Sequence, residues 1–288
     1  DAAPEGDAEV DPDAEAQTVE GPEALAEVEG FALGVASGDV LETAAILWAH
    51  YAGDAALRLT VWEMADEAYA AVHDEAEVEV ERGGFVHYEV AGLRPGARYR
   101  YTFLVLDGEA VIGRSAIGRF RAALPPDALE AFTFGASACT RNGWPTFGTV
   151  EHAGSREDLD LFLLLGDTTY NDGDSSLVEF RASWAENLGT DGYRALRAST
   201  SVLATWDDHE VDNNFDPETI DPVKLANARV AFFENLPLRR DEADPNRIWK
   251  RISWGRTADF FVLDCRGERL PSTRGTADAQ YVSPEQTD

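Results

Sequence analysis

Polar side chains follow three buried strands that the sequence predicts, at the point where each strand ends. The segment SACTRNG (137–143) follows the first strand, GDTTYND (166–172) follows the second, and WDDHE (206–210) follows the third. The carboxylate and imidazole groups of the last two segments suit hard and borderline cations. Two cations about 3.5 to 4 Å apart could hold both the attacking hydroxide and the leaving oxygen of a phosphate ester. The pattern therefore predicts a metal-dependent hydrolytic site.

Each candidate residue also has a simpler explanation when it is taken alone. Gly166-Asp167 after a strand is often only a turn or a helix cap. Cys139 alone is more commonly a small buried hydrophobe than a ligand, and His209 alone is more commonly packed or on the surface. A purely structural explanation does not require three such strand ends in one sheet. We therefore favour a site that all three build together.

The chain beyond the break at Leu124-Pro125-Pro126 predicts an α/β sheet, because strand and helix patterns alternate there. The predicted strands are 132–136, 161–165, 201–205 and 260–263, and the predicted helices are approximately 146–153, 177–187, 192–198 and 223–235. Ligands of such sheets gather at the carboxyl ends of the strands. The polar segments lie where a site is expected.

The chain before that break predicts an all-β domain. Short β-prone runs at sandwich-like spacing are 43–50, 57–63, 77–82, 85–90, 98–106 and 117–121. They predict a fibronectin-type sandwich over residues 31–123. Residues 1–30 carry eleven acids and no base, which predicts an acidic disordered tether.

The charge of the chain limits its partners. Among 288 residues, 54 are acidic and 24 are Lys or Arg, which gives a formal net charge of -30 at pH 7. Nucleic acids bind clustered Lys and Arg, so this balance argues against a nucleic-acid-binding surface. It favours cations, and either a solubility role or a saline habitat would explain it. No apolar run is long enough to predict a transmembrane segment, and the spacing of Cys139 and Cys265 leaves their pairing open.

Several of these segments resemble successive motifs of the PhoD-like phosphatases, within the calcineurin-like metallophosphoesterase superfamily. They are SAC (137–139), GDTTY (166–170), WDDHEVDNN (206–214), FALGVASGD (31–39) and LDCR (263–266). The resemblance implies a metallophosphoesterase domain of the four-layer αββα type over residues 130–288, with only its N-terminal part present. It also implies alkaline phosphatase or phosphodiesterase activity at a binuclear centre with a metal-activated hydroxide.

The resemblance further implies the metal ligands. Cys139 and Tyr170 would bind Fe3+, and Asp167 would bridge to a second ion, Ca2+, for which Asp208 is a further ligand. Other divalent metals are the alternative. Thiolate and phenolate groups stabilise a highly charged iron, and a carboxylate can bridge two cations, so the chemistry agrees with this set.

The same resemblance gives the catalytic roles. His209 would approach the scissile phosphate or the leaving group as proton donor or transition-state stabiliser. Asn142 and Asn213, with Asn214, are candidates for orienting phosphate oxygens. Asp207 and Glu210 would hold the ligands in place.

Two departures from the family pattern affect these expectations. Thr168 and Thr169 are small and polar where the family often has bulky apolar residues, which leaves the shape of the pocket open. The chain also stops at a segment (283–288) that resembles the start of a further family helix. We therefore expect further ligands in a missing C-terminal part, an incomplete site in these 288 residues, and no activity for the fragment alone.

The sequence thus favours a hydrolase for small phosphate esters, located outside the membrane as a secreted, periplasmic or cell-surface protein. The first alternative is an extracellular binding module with a catalytically decayed phosphoesterase domain, which the presence of Cys139, Asp167, Tyr170, Asp208 and His209 opposes. The second is a calcium-dependent adhesion domain, which lacks the expected Asp-x-Asp-x-Asp-Gly loops. The sequence does not indicate an oligomeric state.

Overall fold

A computed structural model describes residues 18–144 and 147–287. Strands and α-helices alternate after residue 130, as the α/β prediction requires. The strands of the described residues are β1 (Val35–Gly38), β2 (Ala44–His50), β3 (Ala56–Ala65), β4 (Ala68–Val78), β5 (Phe85–Ala91), β6 (Arg98–Asp107), β7 (Ala110–Arg114), β8 (Gly118–Arg121), β9 (Phe134–Ser137), β10 (Leu161–Leu165), β11 (Ser201–Thr205), β12 (Lys250–Trp254) and β13 (Ala258–Val262). The α-helices are α1 (Gly148–Gly154), α2 (Leu177–Leu188), α3 (Asp191–Ser199) and α4 (Pro222–Asn235).

A single mixed sheet runs through both predicted domains, in the strand order β5-β2-β1-β11-β10-β9. Its last four strands are parallel, β2 runs antiparallel to β1, and β5 runs antiparallel to β2. The two halves meet where Ser37 lies opposite Ser201 and Gly38 lies opposite Val202. The predicted break near residue 125 is therefore crossed by strand pairing, and the limits 31–123 and 130–288 stay predictions.

The N-terminal strands form a second layer over one half of this sheet. Strands β4-β3-β6-β7, with β8 beside β6, form a separate antiparallel sheet. Buried side chains of β2 and β5, among them Leu47 and Val86, share a core with Leu59 and Phe103 of that sheet. Apolar burial between the layers thus holds them together.

Three strands of this region differ from the prediction. The strand predicted at 77–82 lies earlier, as β4, because a tight turn at Asp66, which has a positive φ of 54°, folds β4 straight back on β3. The pattern predicts neither β1 nor β7. Strand β1 consists of the small residues VASG, and β7 buries only Gly113 of its five residues, so neither has a strong apolar alternation.

The predicted disordered tether is too long. Residues 1–17 lie outside the described part, but residues 18–30 pack against the strands. The amide of Val28 donates to the carbonyl of Arg114, and the amide of Arg114 donates to that of Ala26, both at 3.0 Å. Val19 likewise donates to Tyr69 at 2.9 Å. Backbone hydrogen bonds to an exposed sheet edge therefore outweigh the acidic composition.

The C-terminal half is layered around the same sheet. Phe162 and Leu164 of β10 pack on the helix side, against residues of α2 and α4. Leu161 of β10 and Leu203 of β11 pack on the opposite side, against Trp254 of the β12–β13 hairpin. The described residues thus place helices on one face and a two-stranded hairpin on the other, and the four-layer αββα arrangement stays a prediction.

Helix α2 begins with a capping box. The Ser176 hydroxyl accepts a hydrogen bond from the Glu179 amide at 3.3 Å, and the Glu179 carboxylate accepts one from the Ser176 amide at 2.8 Å. The helix buries Phe180 and Trp184 in the core and carries Asn187, which is also buried. The cap therefore fixes the start of the helix that supports the candidate site.

Replacing Ser176 with Ala is expected to lower the free energy of unfolding by about 1 kcal/mol, because the Glu179 amide at the helix start loses its acceptor. Urea unfolding followed by circular dichroism measures the change. Ser176→Asn, which keeps a capping side chain, should remain close to wild type. An equal loss in both variants would contradict the capping role.

Candidate metal centre

The three polar segments meet because the strands before them are parallel neighbours. Leu164 of β10 lies opposite Ser137 of β9, and Leu165 lies opposite Thr205 of β11. The residues that follow these strands therefore emerge at one edge of the sheet. Gly166 is required at this point: its φ is +103°, and a Cβ on it would lie 2.7 Å from the Asp207 Cβ.

Asp167, Asp208 and His209 form a group that could hold a cation. One potential ligand atom from each lies within 4.8 Å of the others. Asp167 and Asp208 are buried, at 6% and 5% exposure. The Cys139 thiol lies beside the group and donates to Asp167 Oδ2 at 3.2 Å. Three of the four predicted metal ligands are thus brought together, and His209, predicted to be catalytic, is within ligand range as well.

Asp167 is the buried carboxylate at the centre of this group. Its Oδ1 atom is buried without a hydrogen-bond partner, and its φ is +52°. Burial raises the pKa of Asp167, although the Cys139 hydrogen bond opposes that shift. A buried carboxylate oxygen without a donor is costly in a protein. A bound cation would remove that cost, so the residues present fit a metal ion.

Tyr170, the fourth predicted ligand, lies against His209, with ring centroids 4.3 Å apart. Burial raises the pKa of Tyr170, and the nearby Asp167 and Cys139 raise it further. Burial followed by the Asp167 hydrogen bond likewise raises the pKa of the Cys139 thiol. Thiolate and phenolate ligands therefore need a compensating positive charge at this place.

His209 is oriented by Asp172, a residue for which the sequence suggested no role. The His209 Nδ1 atom lies 2.8 Å from both carboxylate oxygens of Asp172. Burial lowers the pKa of His209, but the Asp172 hydrogen bond and charge outweigh it, so the pKa is raised overall. Because Nδ1 donates to Asp172, the other ring nitrogen, Nε2, is the atom available for a ligand. The only sign of this role in the sequence is that Asp172 lies two residues after Tyr170, in the polar segment that follows β10.

The other predicted residues lie on the loops around this group. Asp208 Oδ2 accepts from the Asn214 amide at 2.5 Å. Burial opposes ionisation of Asp208, yet this bond and Arg266 outweigh it and lower its pKa. Asn213 is exposed and bonds to the Asn214 side chain, and Asn142 is exposed on the loop after β9. Neither side chain is bonded to the metal-binding group.

Glu210 ties the two acidic loops together. One carboxylate oxygen accepts from the Thr168 amide at 2.6 Å, and the other accepts from the Asp207 amide at 3.0 Å. Burial raises the pKa of Glu210 to about 7, although both amide bonds oppose the shift. Fully buried, Glu210 joins the segment after β10 to the segment after β11, so it fixes the spacing of Asp167 and Asp208.

Asn187 of α2 is a second support, which sequence reasoning missed. Its side-chain amide donates to the carbonyls of Thr140 and Thr168, at 3.2 and 2.7 Å, and its oxygen accepts from the Asn142 amide at 3.0 Å. The helix thereby holds the loop after β9 and the loop after β10. The only signal in the sequence is a polar residue on the apolar face of a predicted helix.

Arg266 follows β13 and pairs with Asp207, which accepts from its guanidinium. Next to it, the buried Asp264 accepts from the Trp206 indole at 2.7 Å. Cys265 is exposed, and both it and Cys139 are free thiols. Asp207 is therefore paired with Arg266. Among the described residues, Cys265 makes no hydrogen bond to Asp167, Asp208 or His209.

No helix of the described residues combines the length and the apolar character needed to cross a membrane.

Two family models match successive parts of the chain. A family model described as "PhoD-like phosphatase" matches residues 134–288, and one described as "PhoD-like phosphatase, N-terminal domain" matches residues 15–124. Alkaline phosphatase D of Bacillus subtilis (strain 168) is 28% identical over 281 residues, covering 83% of this chain and 47% of the relative. The chain thus spans about half the length of that curated relative.

Two solved structures have a similar fold. A structure of PhoD superposes with a TM-score of 0.78 at 24% identity, covering 89% of this chain and 58% of that one. A purple acid phosphatase from yellow lupin (Lupinus luteus) seeds superposes with a TM-score of 0.58 at 12% identity, covering 77% of this chain and 42% of that one. At these identities the likeness concerns the fold alone.

Proposed function

The chain belongs to the PhoD-like phosphatase family, and from this premise we propose that it hydrolyses phosphate esters at the candidate metal centre. The observation that carries the proposal is Asp167, a buried carboxylate with an unpartnered oxygen. It lies beside a thiol and within ligand range of Asp208 and His209. A purely structural aspartate would leave that oxygen without compensation.

We propose a binuclear centre in which Cys139, Tyr170 and Asp167 hold Fe3+. Asp167 and Asp208 would hold a second ion, Ca2+ or another divalent metal. When bound, the ions supply a nucleophile at neutral pH and withdraw charge from the phosphoryl oxygens. The described residues offer few donors for two ions, since calcium alone takes about six to eight oxygen ligands. This supports the prediction that these residues hold an incomplete site.

The protein's own groups would position the substrate and move a proton. Asp172 keeps the proton of His209 on Nδ1, so Nε2 faces the ester and stabilises or protonates the leaving oxygen once the ring is charged. In the metal-free protein, burial lowers the pKa of His209, but the hydrogen bond and charge of Asp172 raise it overall. Asn142 and Asn213 remain candidates for orienting phosphate oxygens, on loops that border the centre.

The proposal extends to substrates and location. We propose small phosphate esters as substrates, because cations bound at an acidic site would attract the phosphate group. We also propose a secreted, periplasmic or cell-surface location. We retain the four-layer αββα catalytic domain and the fibronectin-type sandwich as part of this proposal.

Metal analysis tests this function. The protein, expressed with whatever residues flank it in its gene, should contain about one iron per chain and hydrolyse p-nitrophenyl phosphate or its bis-ester. Cys139→Ser should bind iron about tenfold more weakly, because a hydroxyl is a poorer ligand than a thiolate. Plasma mass spectrometry and the visible absorption of the sample measure the change, with Cys265→Ser as the matched control.

Metal-free and inactive protein would overturn the proposed function and favour a binding module. Equal iron loss in the two cysteine variants would remove Cys139 as a ligand. Running the 288-residue chain in parallel tests the expectation that it binds metal poorly.

A further inference from the structure

Arg141 is a cationic side chain at the border of the candidate metal centre. Its guanidinium carbon lies 5.4 Å from the centre of the Tyr170 ring and 6.0 Å from that of Trp144. Within residues 18–144 and 147–287 it forms no ion pair with a carboxylate. Arg266, the other guanidinium close to the centre, is already engaged by Asp207. In a chain with 54 acids and 24 bases, Arg141 therefore leaves a positive charge available beside the site.

The turn that carries Arg141 is held in place on both sides. The Trp144 amide donates to the Arg141 carbonyl at 3.1 Å, and Gly143 between them has a φ of +84°. The Thr140 amide donates to the Asp167 carbonyl at 3.1 Å. The Asn142 amide donates to Asn187 of α2 at 3.0 Å. The position of Arg141 relative to Asp167 is therefore fixed by backbone hydrogen bonds.

Tyr170 links Arg141 to the groups that would act on the phosphate. Its ring contacts His209 at 4.3 Å and Trp144 at 5.3 Å, measured between ring centroids. Arg141 and His209 thus contact the same aromatic ring. Trp144 is 45% exposed, so this border is open to a substrate. A guanidinium on aromatic faces keeps its planar N–H donors free for an oxyanion.

We propose that Arg141 binds an anionic substituent on the leaving group, so that the site prefers phosphate esters whose alcohol carries a second negative charge. The scissile phosphate itself belongs beside Asp167, Asp208 and His209, and Arg141 lies farther out. The strongly negative chain repels such substrates in general, so a local guanidinium decides which anionic esters are accepted. This inference rests on the proposed function, because it names the substrate class of the same site.

Binding of two phosphonates tests the inference without turnover. Isothermal titration of the metal-loaded protein compares phenylphosphonate with 4-carboxyphenylphosphonate, which adds only the second anionic group. Arg141→Gln should weaken binding of the carboxylated compound roughly tenfold more than that of phenylphosphonate, because a charge-assisted hydrogen bond is lost. Arg256→Gln removes the same charge on the exposed turn between β12 and β13, and should leave the preference unchanged.

Hydrolysis of phenyl phosphate and 4-carboxyphenyl phosphate by the same variants distinguishes the role of Arg141 from the proposed hydrolytic function. The same selective loss in kcat/KM supports the inference. Equal losses for both compounds in Arg141→Gln would mean that Arg141 only supports Tyr170, and would overturn it. Selective binding by a wild-type protein that hydrolyses neither ester would contradict the proposed function and leave the role of Arg141 standing.

Discussion

Replacing Asp167 with Asn is expected to abolish tight metal binding and phosphatase activity while leaving the metal-free fold intact. Asn is nearly isosteric with Asp and tolerates the positive φ of this position. It cannot supply a negative charge to bridge two cations. Loss of a residue that only hydrogen-bonds to a metal ligand costs about 10- to 100-fold in metal affinity. Loss of the ligand Asp167 itself should therefore cost more than about 100-fold. Plasma mass spectrometry and activity assays measure the loss.

The metal-free protein gives the sharper half of this prediction. Wild-type Asp167 carries a buried oxygen without a partner and a pKa raised by burial. Asn removes the buried charge, so the metal-free variant should melt at the same temperature as wild type or higher. Added metal should then raise the melting temperature of wild type only. Asp54→Asn, on an exposed loop, serves as control. A strongly destabilised metal-free variant would show that Asp167 has a structural role instead.

Replacing Glu210 with Ala is expected to cause the largest loss of stability among these changes. The Thr168 and Asp207 amides would both be left buried without an acceptor. Each unsatisfied buried donor costs about 1–3 kcal/mol, which gives about 2–6 kcal/mol for the pair. Urea unfolding of the metal-free protein measures it, and metal affinity should fall as well, because the two acidic loops lose their link.

Two controls define the outcome for Glu210. Glu210→Gln keeps one acceptor and should lie between wild type and Ala. Glu186→Ala, on the exposed side of α2, should stay within about 0.5 kcal/mol of wild type. If Glu210→Ala also stayed within that range, the carboxylate would not be the link between the loops.

The pH dependence of stability gives a separate check on Glu210. Burial raises its pKa from 4.5 to about 7 in the folded protein. Between these values the folded state holds a proton that the unfolded state has released. The stabilising contribution is therefore full below pH 4.5 and is lost as the pH rises through about 7. Metal-free wild type should lose stability relative to Glu210→Gln over that interval.

The strand ends of the C-terminal half were predictable because their signals are local. A run such as LFLLL at 161–165 has no polar alternation, so it predicts a buried strand, and the strand is observed at Leu161–Leu165. Parallel neighbours bring their carboxyl ends together, which explains how Asp167 and Asp208 could be placed near each other from the sequence. The family prediction is confirmed by the two matching family models.

The supports of the site could not be predicted in the same way, since they depend on contacts between distant segments. Asn187 reaches Thr140 over 47 residues, and Glu210 reaches Thr168 over 42. The position of Asn187 on the apolar face of a predicted helix is unusual for a polar residue, but it does not indicate which segment the side chain contacts. Residues 18–30 could not be predicted for the same reason. Their acidic composition predicts disorder, but they are held by backbone hydrogen bonds to Arg114 and Tyr69, which are distant in the sequence.

The pairing of β1 with β11 has a consequence for how the chain acquires its structure. Ser37 and Ser201 are hydrogen-bonded across 164 residues, so the central strand β11 is complete on both sides only after the N-terminal strands have docked. Closing so long a loop slows folding. A chain leaving the ribosome must keep one edge of β1 unpaired until β11, which ends at residue 205, has emerged. The N-terminal strands β1 and β2 and the later strands β9 to β11 therefore form one cooperative folding unit, despite the break between them in sequence.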